Sequence, residues 1–442
     1  MKYLFILVSL CLQPFMSVLA QNPISPVGTY IADPSARVWN DGWLYIYGST
    51  DDGVGHWCSH KHDVLYTCDL KHWNIRENVF STVGTNDQVE EIDDLLFAPD
   101  VMYRNGKYYM YFCTPNTNYS EGVASSSSPL GPFHGAQKLN VGQYTQIDPT
   151  VLVDDDGQAY FYWGQKNLKC GRLKSNMMEL DSTSIRDNIL NSDEHFFHEG
   201  AFAFKRKGIY YILFADESRR DQRPTCLGYA TASSPYGPFT YRGVVIDNFG
   251  CDPETWNNHG SVAEFNGQWY VFYHRSSHGS EVMRRACVEP IYFNDDGSID
   301  EVEMTSQGAG KAFEIGQTIE AERACLLTGY CRIMKVSPHN EAVCSIKSGD
   351  GVYFKYFNFN KSMSRFIARL DVLSGGLIKI HLDGPDGRII GAMNIPSDKT
   401  GQRYQDYSCN LDSASGKHAL YIEFIGSERN SKLFNMDSFR IE

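Results

Sequence analysis

The sequence predicts an all-β chain: a five-bladed β-propeller over about residues 24–305, then a β-sandwich of jelly-roll type over residues 313–442. Three observations carry this expectation. Tyr (27 residues) and Phe (25 residues) are abundant, which favours strands over helices. A turn followed by an alternating aromatic strand recurs five times, and beyond about Phe313 that recurrence stops while short alternating strands continue.

The five copies run in order. Asp41-Gly42 precedes WLYIYGS, Asn105-Gly106 precedes KYYMYF, and Asp156-Gly157 precedes QAYFYWG; Lys207-Gly208 precedes IYYILFA, and Asn266-Gly267 precedes QWYVFYH. Asp-Gly and Asn-Gly between apolar strands signal hairpins, because a type I′ turn needs positive φ at both central positions. The five glycines lie 64, 51, 51 and 59 residues apart, a spacing that suits one four-stranded blade per repeat. After Phe313 come VYFKYFNF, RFIARLDVL, LIKIHLD, ALYIEFI and SFRIE, with Asp383-Gly384, Asp386-Gly387 and Ser415-Gly416 between them. Such a series predicts a small antiparallel sandwich.

Residues 1–20 have the form of a signal peptide: Lys2, an apolar stretch from Leu4 to Leu12, and small residues Val18 and Ala20 before the expected cut. A secreted or periplasmic monomer without a membrane span is therefore expected. The net charge of −13 argues against a nucleic-acid partner, which needs clustered Lys and Arg. Beyond the leader eleven cysteines remain, with no CxxC pair; Cys325 and Cys331 are the nearest-spaced candidates for a disulfide, and most others lie in apolar strands as buried thiols.

Eight or nine residues before each turn glycine, at the start of each hairpin's first strand, stand Asp33, Ala98, Asp148, Glu199 and His259. If the repeats superpose, three carboxylates and a histidine converge on one axis. Like charges raise one another's pKa, so such a cluster implies a task. Glycoside hydrolysis fits: one carboxyl protonates the leaving oxygen and another activates water. An Asp-Pro pair taken alone simply starts a turn; the shared register across repeats is what favours a site.

ADPSARVW, IDPTVLVDDDGQAYFYWG and HEGAFAFKRKGIYYILF together resemble glycoside hydrolase family 43, a family of inverting five-bladed propellers. The resemblance implies Asp33 as general base, Asp148 as the carboxylate that orients and tunes the acid, and Glu199 as general acid with a raised pKa. It implies that His259 helps hold a central calcium, usually through water. Trp39, Phe97 and Trp163 are candidate sugar platforms, with packing between blades as the alternative. Arg275 resembles an arginine that the family points at its substrate. His56, Cys58, His60, His62 and Cys68 match no standard zinc spacing and are expected to rim the site as a loop.

The C-terminal stretch resembles carbohydrate-binding module family 6 through QTIEAERA, SGDGVYFKYFNF, GGLIKIHLDGPDGRIIG and FNMDSFRIE. The resemblance implies a structural calcium near Glu320, Glu322 and Asp437, and a sugar cleft near Tyr407 and Asn435; Ser345 falls where a second aromatic would stack. No organic cofactor is expected. The implied activity is exo-acting α-L-arabinofuranosidase on plant-type polysaccharide side chains or oligosaccharides. β-Xylosidase, β-galactofuranosidase or galactosidase, and a non-catalytic sugar-binding propeller are the alternatives. A fructan hydrolase fits poorly, since Ala32-Asp33-Pro34 and Glu199-Gly200 differ from the Asn-Asp-Pro and Glu-Cys motifs of that group.

Overall fold

The computed structural model describes residues 21–442 except 145–146, 220–224, 254–256, 361, 398–402 and 429; the expected signal segment lies outside the described residues. The chain is all-β apart from single short helical turns. Its first part forms five consecutive antiparallel sheets, each a meander in chain order. Sheet I holds β1 (Ile31–Val38), β2 (Leu44–Thr50), β3 (Lys61–Thr67) and β4 (Asn74–Ser81). Sheet II holds β5 (Phe97–Arg104), β6 (Lys107–Cys113), β7 (Glu121–Ser126) and β8 (His134–Lys138). Sheet III holds β9 (Thr150–Val153), β10 (Ala159–Trp163), β11 (Asn167–Arg172) and β12 (Arg186–Asn191). Sheet IV holds β13 (Phe197–Arg206), β14 (Ile209–Asp216), β15 (Cys226–Ala232) and β16 (Thr240–Ile246). Sheet V holds β17 (Ser261–Phe265), β18 (Gln268–Arg275) and β19 (Arg285–Ile291).

The first strands of the sheets pack on one another: β1 against β17 and β5, β5 against β9, and β9 against β13. Asp100 ties three of them. Its carboxylate accepts from Ser35 Oγ (2.7 Å), Arg37 Nε (2.9 Å), Thr150 Oγ1 (2.9 Å) and the Val151 N–H (2.8 Å). A charge this deep needs such saturation to offset its lost hydration.

The five expected turns divide into two kinds. Asn105-Gly106, Lys207-Gly208 and Asn266-Gly267 have positive φ at both residues and close two-residue hairpins. At Asp41-Gly42 and Asp156-Gly157 only the glycine is left-handed, and each closes a longer loop. There the aspartate side chain takes a backbone N–H two residues on, from Trp43 and Gln158 at 3.0 and 2.8 Å. That bond supports the wider loop without a second left-handed residue.

The C-terminal part holds β20 (Phe313–Glu314), β21 (Thr318–Glu320), β22 (Leu326–Leu327), β23 (Arg332–Ser337), β24 (Asn340–Cys344), β25 (Gly351–Phe359) and β26 (Arg365–Val372). It continues with β27 (Gly376–Leu382), β28 (Ile389–Ile395), β29 (Gln405–Asn410), β30 (Gly416–Ile425) and β31 (Phe434–Ile441). One sheet runs β20-β25-β30-β27-β28, with β22 on β25; the other runs β23-β24-β31-β26-β29, with β21 on β31. Their facing residues, among them Phe354, Ile380 and Phe424 opposite Val343, Phe366 and Phe439, share one buried core. Phe354 meets Phe439 edge-on at 4.8 Å. No helix among the described residues is long and apolar enough to cross a membrane. The eleven described cysteines are all free thiols, so the candidate Cys325–Cys331 bridge is absent; Cys325 instead donates to the Tyr353 carbonyl at 3.5 Å, and Cys331 packs into the sandwich core.

Candidate active site

The carboxylates expected at the strand starts owe their aim to local irregularity. Pairing slips between Ala32 and Ser35, between Phe97 and Asp100, and on both sides of Glu199. Bulges of this kind turn a side chain out of the pleat at a sheet end. Asp33 (φ 51°) and Asp148 (φ 62°) are both left-handed, a conformation Asp tolerates better than most residues. Gly200 (φ 68°) follows Glu199, and a Cβ there would stand 2.9 Å from His259 Cγ. Only glycine lets the strand carrying Glu199 pass so close to that ring.

The structure brings Asp33, Asp148, Glu199 and His259 together. Asp33 is 7% exposed. Its Oδ2 accepts from Ser49 Oγ at 2.6 Å and its Oδ1 from Arg284 Nη1 at 2.8 Å. His259 Nδ1 lies 3.4 Å from the same Oδ1. Burial alone would raise the Asp33 carboxyl, but Arg284, then His259 and His274, hold it well below the usual carboxylate range. His274 is pushed down to about 3, by burial first and then by Arg284, so its ring is neutral. Its Nδ1 accepts the Asp33 backbone N–H at 3.1 Å, which assigns the ring proton to Nε2, 2.7 Å from Asn257 Oδ1.

Asp148 differs. Burial raises its carboxyl, and Glu199 and Asp33 raise it further, against the opposing pull of His259. Its Oδ2 accepts from the Gly200 N–H at 3.0 Å, tying it to the residue after Glu199. Glu199 Oε2 accepts from Gln165 Nε2 at 2.5 Å and lies 3.5 Å from His198 Nε2. The far side of that ring, Nδ1, is 2.8 Å from Glu217 Oε1, which Lys166 holds at 2.8 Å. One carboxylate is thus held charged beside an arginine while another, across His259, has its proton affinity lifted. Displaced carboxyls gathered in this way point to a functional site.

Several expected contacts lie elsewhere. Trp163 is 0% exposed in the core between sheets II and III, its indole N–H donated to the Tyr144 carbonyl at 2.6 Å. Trp39 follows the far end of β1, about 20 Å along an extended strand from Asp33. There it packs on Tyr108 at 5.6 Å and donates to Tyr47 Oη at 3.2 Å. Phe97 is half-buried beside the site, since Ser49 Oγ, which binds Asp33, also accepts the N–H of Ala98. Arg275 is 2% exposed and points away: its Nη2 donates to Tyr273 Oη at 2.9 Å and to the Thr305 carbonyl. Alternation along β18 explains this, because His274 faces Asp33 and the next side chain must face the other way.

The arginine at the site is Arg284, which the sequence reading missed. Two adjacent arginines in VMRRACVE, within an apolar stretch of an acidic chain, were the available signal. Arg284 also lies over the Trp57 ring at 4.9 Å and donates to Cys58 Sγ at 3.4 Å. The loop before β3 therefore does reach the site, but its histidines disperse. His56 pairs with Asp52 at 2.7 Å at the surface, His60 contacts Thr82 Oγ1 at 3.4 Å, and His62 is buried with Nδ1 on the Gly48 carbonyl at 3.1 Å. Cys68 is exposed. Among the described residues no three His, Cys, Asp or Glu side chains gather as a metal cluster.

The calcium expectations part company here. In the sandwich, Glu322 is buried with Oε2 unpartnered, and Asp437 lies close enough to Glu320 to raise its carboxyl after burial has done so. The unpartnered Glu322 oxygen suits a hard cation, whereas Asp437 already accepts from Asn340 Nδ2 and lies 3.5 Å from Arg369 Nε. In the catalytic part His259 has its Nδ1 facing Asp33, and Gly200 lies against the ring. Burial alone would lower its pKa, but Asp33, then Asp148 and Glu199, raise it.

The family model for glycosyl hydrolases family 43 matches residues 20–299, and that for carbohydrate binding module (family 6) matches residues 320–442. An arabinoxylan arabinofuranohydrolase of Bacillus subtilis (strain 168) is 29% identical over 92% of this chain and 89% of its own length. A crystal structure of a glycoside hydrolase family 43 arabinoxylan arabinofuranohydrolase from Bacillus subtilis, in complex with cellotetraose, aligns with TM-score 0.55 and 25% identity over 96% of this chain and 97% of that one. A β-xylosidase/α-arabinofuranosidase from a compost metagenome, solved with xylotriose in a calcium-free form, aligns with TM-score 0.54 and 27% identity over 64% of this chain and 97% of its own.

Proposed function

The chain belongs to the glycosyl hydrolases of family 43 and is a glycosidase, and from that premise we propose that it is a secreted, inverting, exo-acting α-L-arabinofuranosidase working on arabinoxylan-type side chains. Residues 24–305 are the catalytic domain, a closed five-bladed propeller, and residues 313–442 a carbohydrate-binding module that holds calcium at Glu320, Glu322 and Asp437. The packing of β1 on both β5 and β17 supports ring closure. The arabinofuranose assignment draws on the relative named arabinoxylan arabinofuranohydrolase, which matches both parts of the chain. A monomer is sufficient for this reading, since every site group described lies within one chain.

In this reading Asp33 is the general base. Ionised beside Arg284, it takes a proton from the water that attacks the anomeric carbon. Glu199 is the general acid and protonates the departing oxygen, with its carboxyl steadied by Gln165. Asp148, bonded to the Gly200 N–H, orients the strand that carries the acid. Phe97 offers a partly exposed ring for the sugar's apolar face. The observation that carries the reading is the gathering of Asp33, Asp148 and Glu199 around His259, with Asp33 fixed on Arg284 and Asp148 on the Gly200 N–H beside Glu199.

The test is a screen against aryl α-L-arabinofuranoside, β-D-xyloside, β-D-galactofuranoside and β-D-galactopyranoside, followed by product stereochemistry by proton NMR. Cleavage of the arabinofuranoside with inversion, abolished in Asp33→Asn and Glu199→Gln, is expected. Preference for the xyloside or a galactoside would replace the substrate assignment, and retained activity in either variant would overturn the residue roles.

A further inference from the structure

The groups that hold Asp33 lead out of the catalytic sheets into the sandwich. Arg284 binds Asp33 and also makes three bonds of 2.9 Å to Asp51: its backbone N–H and Nε to Oδ2, and Nη2 to Oδ1. Asp51 donates its own backbone N–H to the Tyr30 carbonyl at 3.0 Å. The Tyr30 hydroxyl then donates to Glu341 Oε1 at 2.6 Å. Glu341 lies on β24 of the sandwich, and its Oε2 accepts from Arg285 Nη1 at 2.7 Å. Arg284 and Arg285 are neighbours whose side chains point oppositely, the first to the base and the second to the sandwich.

The loop between β18 and β19 is fastened to the same place. The His278 ring meets Tyr30 edge-on at 5.5 Å and its Nε2 accepts the Lys335 N–H at 3.2 Å, while the His278 backbone N–H donates to the Ile333 carbonyl at 3.0 Å. Glu341 itself is 0% exposed. A buried ion pair is a weak source of stability, because apolar residues of the same shape serve as well or better. Its presence here calls for a role beyond cohesion.

We propose that Glu341 is a positioning residue for the reaction: from the sandwich it fixes Tyr30 and Arg285, and through them Asp51 and Arg284, so that the base meets its water in the productive geometry. The sandwich is then a structural part of the active site as well as a sugar-binding appendage. The inference rests on the assignment of Asp33 as base. A misplacement of about 1 Å at a reacting group costs on the order of a hundredfold in rate, so loosening a holder four hydrogen bonds away along this chain should cost about tenfold.

The experiment is a double-mutant cycle on the full chain, with arabinoxylan and the aryl glycoside it cleaves. Glu341→Gln should lower kcat about tenfold with KM changed less than about twofold; in an Arg284→Lys background the same change should cost less than about twofold. Tyr30→Phe, which removes only the hydroxyl, should behave alike with a smaller drop, and it carries the test should Glu341→Gln fail to fold. Glu303→Gln, which breaks the Lys355–Glu303 pair at the edge of the same junction, should leave kcat unchanged. Equal losses in both backgrounds, or a lowered Tm with kcat intact, would overturn the proposal. Full activity in Asp33→Asn would instead remove the reading on which it rests.

Discussion

Replacing Arg284 with methionine removes one guanidinium from two buried carboxylates at once. Asp33 loses a partner at 2.8 Å and Asp51 loses two side-chain bonds of 2.9 Å, keeping only the bond from the backbone N–H of residue 284. Opposite charges centred about 4 Å apart interact by about 4 kcal/mol at an effective dielectric of 20, which corresponds to about three pH units at 1.36 kcal/mol per unit. The groups left facing Asp33 are His259, His274, the Ser49 hydroxyl and, across the axis, Asp148, and they supply no full replacement for a permanent cation. In the intact protein Asp33 is depressed, so it adds stability that is present above the unfolded value near 3.9 and lost as pH falls through the native one. The variant loses most of that contribution and leaves Asp51 buried without a cation, a cost of about 3–5 kcal/mol. The assay is kcat/KM across pH 3–9 at a temperature where the variant is folded, since this ratio reports ionisations of the free enzyme. The acid limb should rise from below about pH 4 by about three units. An acid limb that stays in place would refute the claim that Arg284 is what keeps the base charged.

Two further outcomes are expected. Asp148 is raised, to about 7, so the stability it contributes below about pH 4 is lost as pH climbs through that value; Asp148→Asn should therefore narrow the gap between melting temperatures at pH 5.5 and pH 8, and an unchanged gap would count against a raised Asp148. Chelation with EGTA should lower the melting temperature by several degrees and Glu322→Gln should abolish that response, since an ion bound only to the native state stabilises it by mass action; an identical chelator response in the variant would remove Glu322 from the calcium site.

The parts of the molecule that could be foreseen from the chain are those written in local pattern. Asn105-Gly106 and Asn266-Gly267 force their hairpins through backbone preference alone, and Asp33, Asp148 and Glu199 share a register that needs no knowledge of the fold. The parts that could not be foreseen depend on what lies across the molecule. Arg275 and Arg284 carry the same charge in similar surroundings, and only the pairing of β18 with β19 decides which one meets Asp33. Trp163 and Trp39 look like sugar platforms until burial between sheets claims the first and distance along β1 removes the second. The Asp-Gly turns at 41–42 and 156–157 share the dipeptide of the tight hairpins, yet the length of each connection settled their conformation.

The adjacency of Arg284 and Arg285 has a consequence for how this chain can change. Side chains on a strand alternate sides with a period of two, so a one-residue slip of β19 against β18 would exchange their directions. The arginine that serves Asp33 would turn toward Glu341 and its neighbour toward the sugar site, with every residue type preserved. The register that sets Arg285 opposite Arg275 is therefore held by charge placement, independent of any contact the loop makes with a substrate. Natural variation or engineered grafts in residues 276–283 should be tolerated where they keep that register and rejected where they slip it by one.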